Sequence, residues 1–546
     1  MRKNQVAKID GGAVFQAPLY LYCDYLRGCF QAIDTAGPRK FCGVSFAALF
    51  RELRRIRAAR LTHFREQSPQ LLVIVNDLSL LSVLVSKYCT DAQSTGEKIS
   101  NGATHQLEIR TPEFLFRNFN FIANSRPEAL CKFFNTENPV EAMAAFVIKI
   151  SSGKEYRSRW TLANITKKAF FGNIRGELWE EMKKEQVLFH AATHYRDMFA
   201  GSKSGALLKF RGTEHRHIIR DVESYDKKSA YPSVLVNDDK FPLSRPIRVV
   251  TGKADALINA IREKHWFKIV LRTDRTVPEL IPFQDSDNPQ LYGIEYYDFF
   301  LMRDVLSIPL RRFVEILNGA EWSLYTAKHT GYLADCFRRK IASAFLIKNA
   351  ISDKSNFYRF TLKTQLDMIN GKALQDKHFR TLRQINKYYT GRGENYLMPQ
   401  HAMHSIAAVR YELMRAVKML GSSCIAYDTD GIKSTRSGIF DALNEEIRIK
   451  NERAGFPKSE IGFWMHEWTA ERFLQLCTKS YIYDAGDRIT VKHAGISDDD
   501  FSRYAEAITG DIMEHFLEPR EITVKGKYLY REDTDTFYRQ LSKFTL

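Results

Sequence analysis

Two short acidic segments constrain what this chain can fold into more than any other feature of the sequence. Asp226 lies in YDKKSAYPSVL, and Asp428 and Asp430 lie in AYDTDGIKS, roughly 200 residues further along. Each segment has the pattern of a strand with a carboxylate at its edge, and aspartates two residues apart on a strand point to one face. The sequence therefore predicts that strands distant in the chain become neighbours and bring three carboxylates together.

Three such carboxylates have a specific chemical use. Mg²⁺ prefers oxygen ligands, and two ions can hold the attacking and the leaving oxygen of an in-line phosphoryl transfer. We therefore expect two ions, Mg²⁺ or Mn²⁺, and a nucleotidyl transfer reaction. A D-x-D pattern alone is weak evidence, because surface turns also use aspartate freely.

The charge of the chain indicates a polyanionic partner. The 546 residues include 81 Lys and Arg against 64 Asp and Glu, a net charge of +17. Such a surface attracts nucleic acid, although many basic proteins bind none. The length predicts three or four structural units.

Cysteine usage and hydropathy exclude other classes. The eight cysteines form no C-x2-C pair and no disulfide-dense spacing, which argues against a structural zinc site. The N-terminal residues lack the apolar stretch of a signal peptide, and no run of 18 apolar residues occurs. We expect a cytoplasmic protein that is neither exported nor inserted in a membrane.

The predicted arrangement of strands and helices changes near residue 220. Residues 15–200 mix strand and helix patterns: FAALFRELRRIRAARL (46–61) predicts a helix, and LLVIVNDLSLLSVLV (71–85) predicts a buried strand leading into a helix. The polar segment 201–220 predicts a linker. Beyond it, strand candidates surround a basic helical stretch at about 331–370, which predicts an antiparallel sheet carrying helices.

Both acidic segments belong to longer patterns. The spacing D-x2-S-x-Y-P-S at 226–233 resembles motif A of the family B DNA polymerases, and D-T-D at 428–430 resembles their motif C. A strand-end turn and an unrelated surface loop would not be expected to reproduce both patterns in the family's order.

A third segment between them is similar to motif B, whose pattern is K-x3-N-S-x-Y-G-K. In KTQLDMINGK (363–372), Lys363 fits this pattern. Asp367, Met368 and Asn370 stand where the family has Asn, Ser and Tyr.

The resemblance implies a template-directed DNA polymerase that uses deoxynucleotides. It assigns two metal ions to Asp226, Asp430 and the carbonyl of Lys227, with Asp428 assisting, and it places Tyr231 where a 2′-OH would be excluded. The expected nucleotide-binding residues are Ser229, Ala230, Tyr231, Lys348, Lys363 and Asn370. For the lysines, a solvated helix position is the alternative interpretation.

The segments flanking these motifs resemble the protein-primed subgroup of the family. Lys479 and Tyr481 match its K-x-Y element, which steadies the primer terminus, although a cross-strand Lys and Tyr pair is the alternative interpretation. Gly201, in FAGS, stands near the place of a Y-x-G-G element that lies close to DNA. The resemblance also makes a terminal protein a candidate primer.

The N-terminal third resembles the proofreading domain of the family without its metal carboxylates. The expected D-x-E strand is LYLYCDYLRG, where Asp24 is present but Leu26 replaces Glu. In the second motif Asn76 is present, but an apolar run replaces the Asp expected after an aromatic residue, and Asp77 is misplaced. No convincing third motif appears before residue 200. We therefore predict an exonuclease-like fold without 3′–5′ proofreading.

The predicted fold class is an α/β, RNase H-like, exonuclease-like domain followed by a right-hand polymerase with an antiparallel α+β palm, helical fingers and a small thumb. The predicted bounds are 1–205, then 206–500 with fingers at about 290–400, then 501–546.

Two alternatives remain open at the level of sequence. A catalytically inactive polymerase-like scaffold or sensor would explain the altered motif B. A nuclease would also use two metals on carboxylates, but it has no evident use for Lys363 or the K-x-Y element.

Overall fold

The computed structural model separates into two compact units. The first unit comprises Met1–Ile165, Ile351–Thr364 and Thr523–Lys543, and the second comprises Thr166–Ala350, Gln365–Ile522 and Phe544–Leu546. The structure describes residues 7–9, 13–15, 18–25, 29–34, 39–43, 45–61, 70–98, 104–151, 161–171, 174, 180–181, 183–184, 186–187, 209–210, 216–249, 254–263, 265–284, 288–373, 398–477, 480–486, 489–493, 508, 510–531 and 536–545. The predicted domain boundaries after 205 and 500 lie outside these ranges.

Within these ranges, the first unit is built on a seven-stranded mixed sheet preceded by a short hairpin. The strands are β1 (Ala7–Ile9) and β2 (Ala13–Phe15) in the hairpin, then β3 (Leu19–Asp24), β4 (Cys29–Asp34), β5 (Arg39–Gly43), β6 (Leu71–Val75), β7 (Gln93–Lys98), β8 (Thr104–Arg110) and β9 (Phe114–Asn118). The order across the sheet is β5-β4-β3-β6-β9-β8-β7. Strand β6 is parallel to β3 and β9, and the other pairs are antiparallel.

Helices pack against this sheet as the hydrophobic pattern predicts. They are α1 (Phe46–Leu61), α2 (Leu78–Tyr88), α3 (Phe119–Ala123), α4 (Pro127–Phe134) and α5 (Pro139–Ile150). The predicted helix at 46–61 and the predicted strand-to-helix segment at 71–85 are both confirmed. All five residues of β6 are buried, as expected for a strand at the centre of a covered sheet.

A single asparagine ties β6 to the end of β3. Asn76 follows β6, and its side-chain oxygen accepts from the Cys23 amide at 2.9 Å while its side-chain nitrogen donates to the Cys23 carbonyl at 3.0 Å. The next residue, Asp77, caps α2 by accepting from the amides of Ser79 and Leu80. The Tyr25 hydroxyl donates to the Asp77 carbonyl at 2.7 Å. The chain around Asp24 is thus held by side-chain to main-chain hydrogen bonds.

The second unit also contains a seven-stranded sheet. Its strands are β10 (Lys209–Phe210), β11 (Ile219–Lys227), β12 (Phe241–Pro242), β13 (Pro246–Val249), β14 (Phe267–Arg272), β15 (Leu291–Glu295), β16 (Glu321–Ala327), β17 (Thr330–Gly331), β18 (Cys424–Asp428), β19 (Gly431–Ser434), β20 (Trp464–Cys477), β21 (Ser480–Asp484) and β22 (Ile489–His493). In the part of the chain that the structure describes, the sheet order is β10-β18-β19-β11-β20-β21-β22, with every pair antiparallel. This confirms the predicted antiparallel sheet and places β11 at its centre.

A second, four-stranded sheet has the order β13-β16-β14-β15 and holds a large apolar core that includes Trp266, Phe267 and Tyr325. Strands β12 and β17 pair separately, as do β23 (Glu521–Arg531) and β24 (Thr536–Thr545).

The remaining helices are α6 (Leu162–Phe171), α7 (Ala230–Asn237), α8 (Ala254–Arg262), α9 (Tyr296–Phe300), α10 (Leu310–Asn318), α11 (Asp335–Ala350), α12 (Phe357–Ala373), α13 (Pro399–Leu420), α14 (Ile439–Arg453) and α15 (Ile512–His515). Short 3-10 turns occupy Pro278–Phe283 and Gly421–Ser423, and a π-helical turn occupies Leu301–Val305. No helix in the described ranges combines the length and the apolar character needed to cross a bilayer.

The helical stretch predicted at about 331–370 is two helices, α11 and α12. A new helix begins after Asn356, whose side chain accepts from the amides of Tyr358 at 2.9 Å and Arg359 at 3.2 Å. Asparagine is a favourable N-cap because its side-chain oxygen satisfies amides that the first helical turn leaves unpaired. Residues 351–356, ISDKSN, are polar and rich in Ser, Asp and Asn, a break signal that the prediction of one helical stretch overlooked.

Helix α13 is buried along most of its length and contains two histidines that differ in charge at neutral pH. The carboxylates of Glu295 and Asp238 raise the pKa of His404 to about 10 against the opposing effect of burial. Its two ring nitrogens donate to Glu295 at 2.7 Å and to Asp238 at 3.2 Å. Burial lowers the pKa of His401 to about 4. His404 is therefore charged at neutral pH, and His401 is neutral.

We expect Asn76→Ala to destabilise the first unit by about 1–3 kcal/mol, because the Cys23 amide and carbonyl lose their partners in a partly buried position. Urea unfolding followed by far-ultraviolet circular dichroism measures this change. Ser79→Ala, at an exposed position on α2, is the matched control. An unchanged urea midpoint for Asn76→Ala would show that these hydrogen bonds do not stabilise the fold.

Candidate active site

The three predicted aspartates meet at one end of β11. Asp226, the penultimate residue of β11, lies opposite Gly431 of β19, and Gly431 also lies opposite Asp428, the last residue of β18. The Lys227 amide donates to the Asp430 carbonyl at 2.9 Å, which ties the end of β11 to the turn between β18 and β19. A Cβ atom at Gly431 would lie 3.4 Å from Asp226 Oδ1, so glycine keeps side-chain atoms away from this carboxylate.

The turn that carries Asp428 and Asp430 differs from the straight strand that the sequence predicts. Strand β18 ends at Asp428, and Thr429 has a positive φ of 56°, so the chain reverses into β19. The Asp430 amide donates to the Asp428 carbonyl at 2.6 Å, and the Thr429 hydroxyl donates to Asp428 Oδ1 at 2.8 Å. The same-face rule for residues two apart on a strand therefore does not describe this pair, which the turn places next to Asp226.

Repulsion between carboxylates shapes the electrostatics of this site. Burial, together with the charges of Asp430 and Glu467, raises the pKa of Asp226 to about 7. Burial and the charge of Asp428 raise the pKa of Asp430 to about 6, with Asp367 adding to the effect and Lys227 opposing it. A cation between these carboxylates would relieve their repulsion.

The donor set fits divalent metal ions. Among the described residues, no group of three or more His, Cys, Asp or Glu side chains is arranged so that it could hold a metal ion by itself. Mg²⁺ in enzymes of phosphate chemistry commonly uses one or two carboxylates and completes its shell with water and substrate phosphates. Asp226 and Asp430, whose carboxylates interact, are two oxygen donors of the kind that such an open site uses.

Two charged residues beside Asp226 were missed in the sequence. Glu467 lies in a bulge of β20, where the pairing with β11 shifts between Ser224 and Tyr225, and it accepts from the Ser224 hydroxyl at 3.1 Å. Lys433 on β19 lies opposite Ser224, and its charge lowers the pKa of Asp226. The bulge has no sequence signature here. The position of Lys433 could have been predicted, because residues two apart on a strand share a face and Lys433 is two residues from Gly431.

Motif A residues surround the turn into α7. Ser229 has a positive φ of 50° at the start of this helix, and Ala230 is buried. Burial raises the pKa of the Tyr231 hydroxyl to about 12, with Asp430 and Asp428 contributing, which shows that this side chain is near both carboxylates. Lys348 of α11 donates to the Ser229 hydroxyl at 3.4 Å. The structure therefore brings Lys348 to motif A.

The other residues predicted to bind nucleotide or DNA lie on α12, on β21 or outside the described residues. Lys363 is exposed on the part of α12 that belongs to the first unit, and Asn370 is buried on the part that belongs to the second. Tyr481 on β21 has the Lys433 ammonium 5.3 Å from its ring centre, and its pKa is raised to about 12 by burial, with Glu467 and Asp428 contributing. Gly201 and Lys479 lie outside the described residues.

Comparison with known proteins identifies the fold. No protein-family model and no curated protein matches the sequence. The solved structure of phi29 DNA polymerase with single-stranded DNA superimposes with a TM-score of 0.64 at 13% identity, covering 97% of this chain and 100% of that one. The same polymerase with primer-template DNA gives 0.62 at 13% identity, with 97% and 100% covered. Its ternary complex with primer-template DNA and incoming nucleotide gives 0.60 at 13% identity, with 97% and 99% covered.

This similarity extends over nearly the whole of both chains. Phi29 DNA polymerase is a protein-primed family B enzyme made of an exonuclease domain and a right-hand polymerase. The chain described above has that fold, and the mixed sheet of the first unit and the antiparallel sheet of the second agree with it.

We expect the metal-free protein to lose stability as pH rises from about 4 to about 7. The raised pKa of Asp226 means that, in this window, the folded chain holds a proton that the unfolded chain has released. Asp226→Asn removes this proton exchange, so the variant should unfold at a higher temperature than the wild type at pH 8 in EDTA and lose that advantage near pH 4. Thermal unfolding across this range measures the difference.

Asp274→Asn, at an exposed position in the second unit, is the matched control and should follow the wild type. Unfolding temperatures of the wild type and Asp226→Asn that differ by the same amount at every pH would contradict the raised pKa of Asp226.

Proposed function

We propose that this protein is a template-directed DNA polymerase that transfers nucleotides from deoxynucleoside triphosphates to a primer. One observation carries the proposal: Asp226 and Asp430, both partly buried, meet at the end of the central strand of an antiparallel sheet in a chain with the phi29 polymerase fold. The net charge of +17 suits a DNA partner. Primer-template DNA and nucleotides are the ligands in the similar structures.

Asp226, Asp430 and the Lys227 carbonyl would hold two Mg²⁺ or Mn²⁺ ions, and Asp428 would support the turn through its bond from Thr429. When bound, these ions would supply charge neutralisation at the attacking and leaving oxygens. The chain itself would contribute positioning, since the hydrogen bond between Lys227 and Asp430 fixes the two ligand-bearing segments relative to each other.

Lys348 and Ser229 would bind the triphosphate. Their contact at 3.4 Å places an ammonium group beside motif A, where it would donate to phosphate oxygens and offset charge on the leaving pyrophosphate. Ala230, Lys363 and Asn370 are further proposed nucleotide-binding residues, and Gly201, Lys479 and Tyr481 are proposed to contact DNA.

We further propose that the first unit has no proofreading activity, because Leu26 replaces a metal carboxylate and Asn76 is bonded to the Cys23 main chain. A terminal protein that offers a hydroxyl group is the proposed natural primer, in the manner of the protein-primed enzymes. The cytoplasm is the proposed compartment.

The decisive measurement is Mg²⁺-dependent extension of a labelled primer on a DNA template. We expect growth with the wild type and a loss by about 10³-fold or more with Asp226→Ala and with the double variant Asp428→Ala/Asp430→Ala, because the metal ligands are removed. Asp274→Ala is the matched control and should extend the primer normally.

Primer length also separates this proposal from its alternatives. Shortening of the primer would indicate a nuclease. No growth with any primer, divalent metal or candidate priming protein, while DNA still binds, would indicate an inactive scaffold.

We expect Tyr231→Ala to weaken discrimination against ribonucleotides by about 10- to 100-fold, because the ring would otherwise occupy the space of a 2′-OH. The measurement is the ratio of catalytic efficiencies for a deoxynucleotide and the matching ribonucleotide. Tyr231→Phe retains the ring and should retain the discrimination. An unchanged ratio in Tyr231→Ala would remove Tyr231 from this role.

A further inference from the structure

A cluster of charged side chains lies behind the end of β11. It consists of Lys227, Glu412 and Arg415 of α13, and Glu446 and Lys450 of α14, and is called here the basal ion cluster. These residues line one cavity together with apolar side chains. Successive strand residues point to opposite faces, so Lys227 turns its side chain toward the helices while Asp226 faces the other carboxylates.

Glu412 is the central group of this cluster. The Lys227 ammonium is ion-paired with Glu412, and Lys450 donates to the other Glu412 oxygen at 2.7 Å. The Lys227 side chain is only 3% exposed, and that of Glu412 is 16% exposed. A buried ammonium without a carboxylate partner is strongly unfavourable, so Glu412 is what keeps the Lys227 side chain between the strand and the helices.

The main-chain groups of Lys227 and Lys228 connect the end of β11 to the Asp430 turn and to the segment before β20. The Lys227 amide donates to the Asp430 carbonyl at 2.9 Å, and the Lys228 amide donates to the Phe463 carbonyl at 2.9 Å. The Gly462 amide donates back to the Lys228 carbonyl at 2.8 Å. An anchor on the Lys227 side chain therefore fixes the peptide that joins β11 to the Asp430 turn and to the segment before β20.

We propose that Glu412 is a positioning residue: through Lys227, it holds the carbonyl of that residue and the adjacent Asp226 carboxylate in the arrangement that binds metal. This inference rests on the proposed function, because it concerns the metal site of that reaction. Glu412 touches neither of the proposed ligand carboxylates in the described contacts and acts through the lysine alone.

Loss of the Glu412 charge would leave Lys227 and Lys450 facing each other without a shared counter-ion. The Lys227 side chain would then lose the ion pair that holds it between β11 and the helices, and the end of β11 would no longer be fixed through it. Misplacement of reacting groups by about 1 Å can cost 10²-fold in rate, and changes to partners of metal ligands commonly cost 10- to 100-fold in metal affinity.

The test compares Glu412→Gln with the wild type in two measurements. The first is amide hydrogen exchange by mass spectrometry over residues 224–230, without metal or DNA, where we expect exchange to be about tenfold faster. The second is the Mg²⁺ concentration for half-maximal primer extension, which we expect to rise by about tenfold.

Glu446→Gln is the matched control, because Glu446 lines the same cavity but pairs with Arg415 at 3.0 Å. It should leave both measurements unchanged. Unchanged exchange in Glu412→Gln would overturn the inference. Faster exchange with an unchanged Mg²⁺ requirement would also overturn it, since Glu412 would then only stabilise the fold.

A second variant covers the case in which Glu412→Gln does not fold. The variant Glu412→Asp keeps a carboxylate beside Lys227 and Lys450, so it should fold, but its shorter side chain should displace Lys227 and raise the Mg²⁺ requirement by about threefold or more. An unchanged requirement in this folded variant would contradict positioning through the lysine. A wild-type protein that extends no primer would instead refute the proposed function. Amide hydrogen exchange in Glu412→Gln would then still show whether Glu412 fixes the end of β11.

Discussion

Main-chain hydrogen bonds at the end of β11 hold together carboxylates that repel one another, and the site of the second unit depends on them. Partial burial of Asp226 and Asp430 and the negative charges around them disfavour their ionised forms, so side-chain forces alone would drive these groups apart. Main-chain hydrogen bonds prevent the separation. Strand β11 lies between β19 and β20 at the centre of the sheet, so its end cannot move without breaking pairs on both sides.

Much of this arrangement could be predicted from the sequence, because its signals are local. The helix at 46–61 and the buried strand at 71–75 follow hydrophobic periodicity, and the antiparallel sheet of the second unit follows the strand patterns after 221. What could not be predicted depends on contacts between distant segments. Glu467 reaches the site through a bulge in β20, and Glu412 reaches Lys227 from a helix 185 residues further along the chain. Neither position carries a pattern of its own.

The first unit shows how one side chain can join the ends of two neighbouring strands. Asn76 uses both atoms of its amide on the Cys23 main chain, beside Asp24, and Asp77 caps the following helix. A carboxylate at position 76 could accept from the Cys23 amide but could not donate to its carbonyl. The asparagine therefore joins two strands in a way that an acidic residue would not.

The two histidines of α13 bear on how kinetic data for this protein should be assigned. His404 stays protonated to about pH 10 and His401 stays neutral down to about pH 4, so neither changes its charge near neutrality. An inflection between pH 6 and 7 in a rate profile of an enzyme is commonly attributed to histidine. In this protein, neither His401 nor His404 titrates in that interval, so such an inflection would have to be assigned to another group.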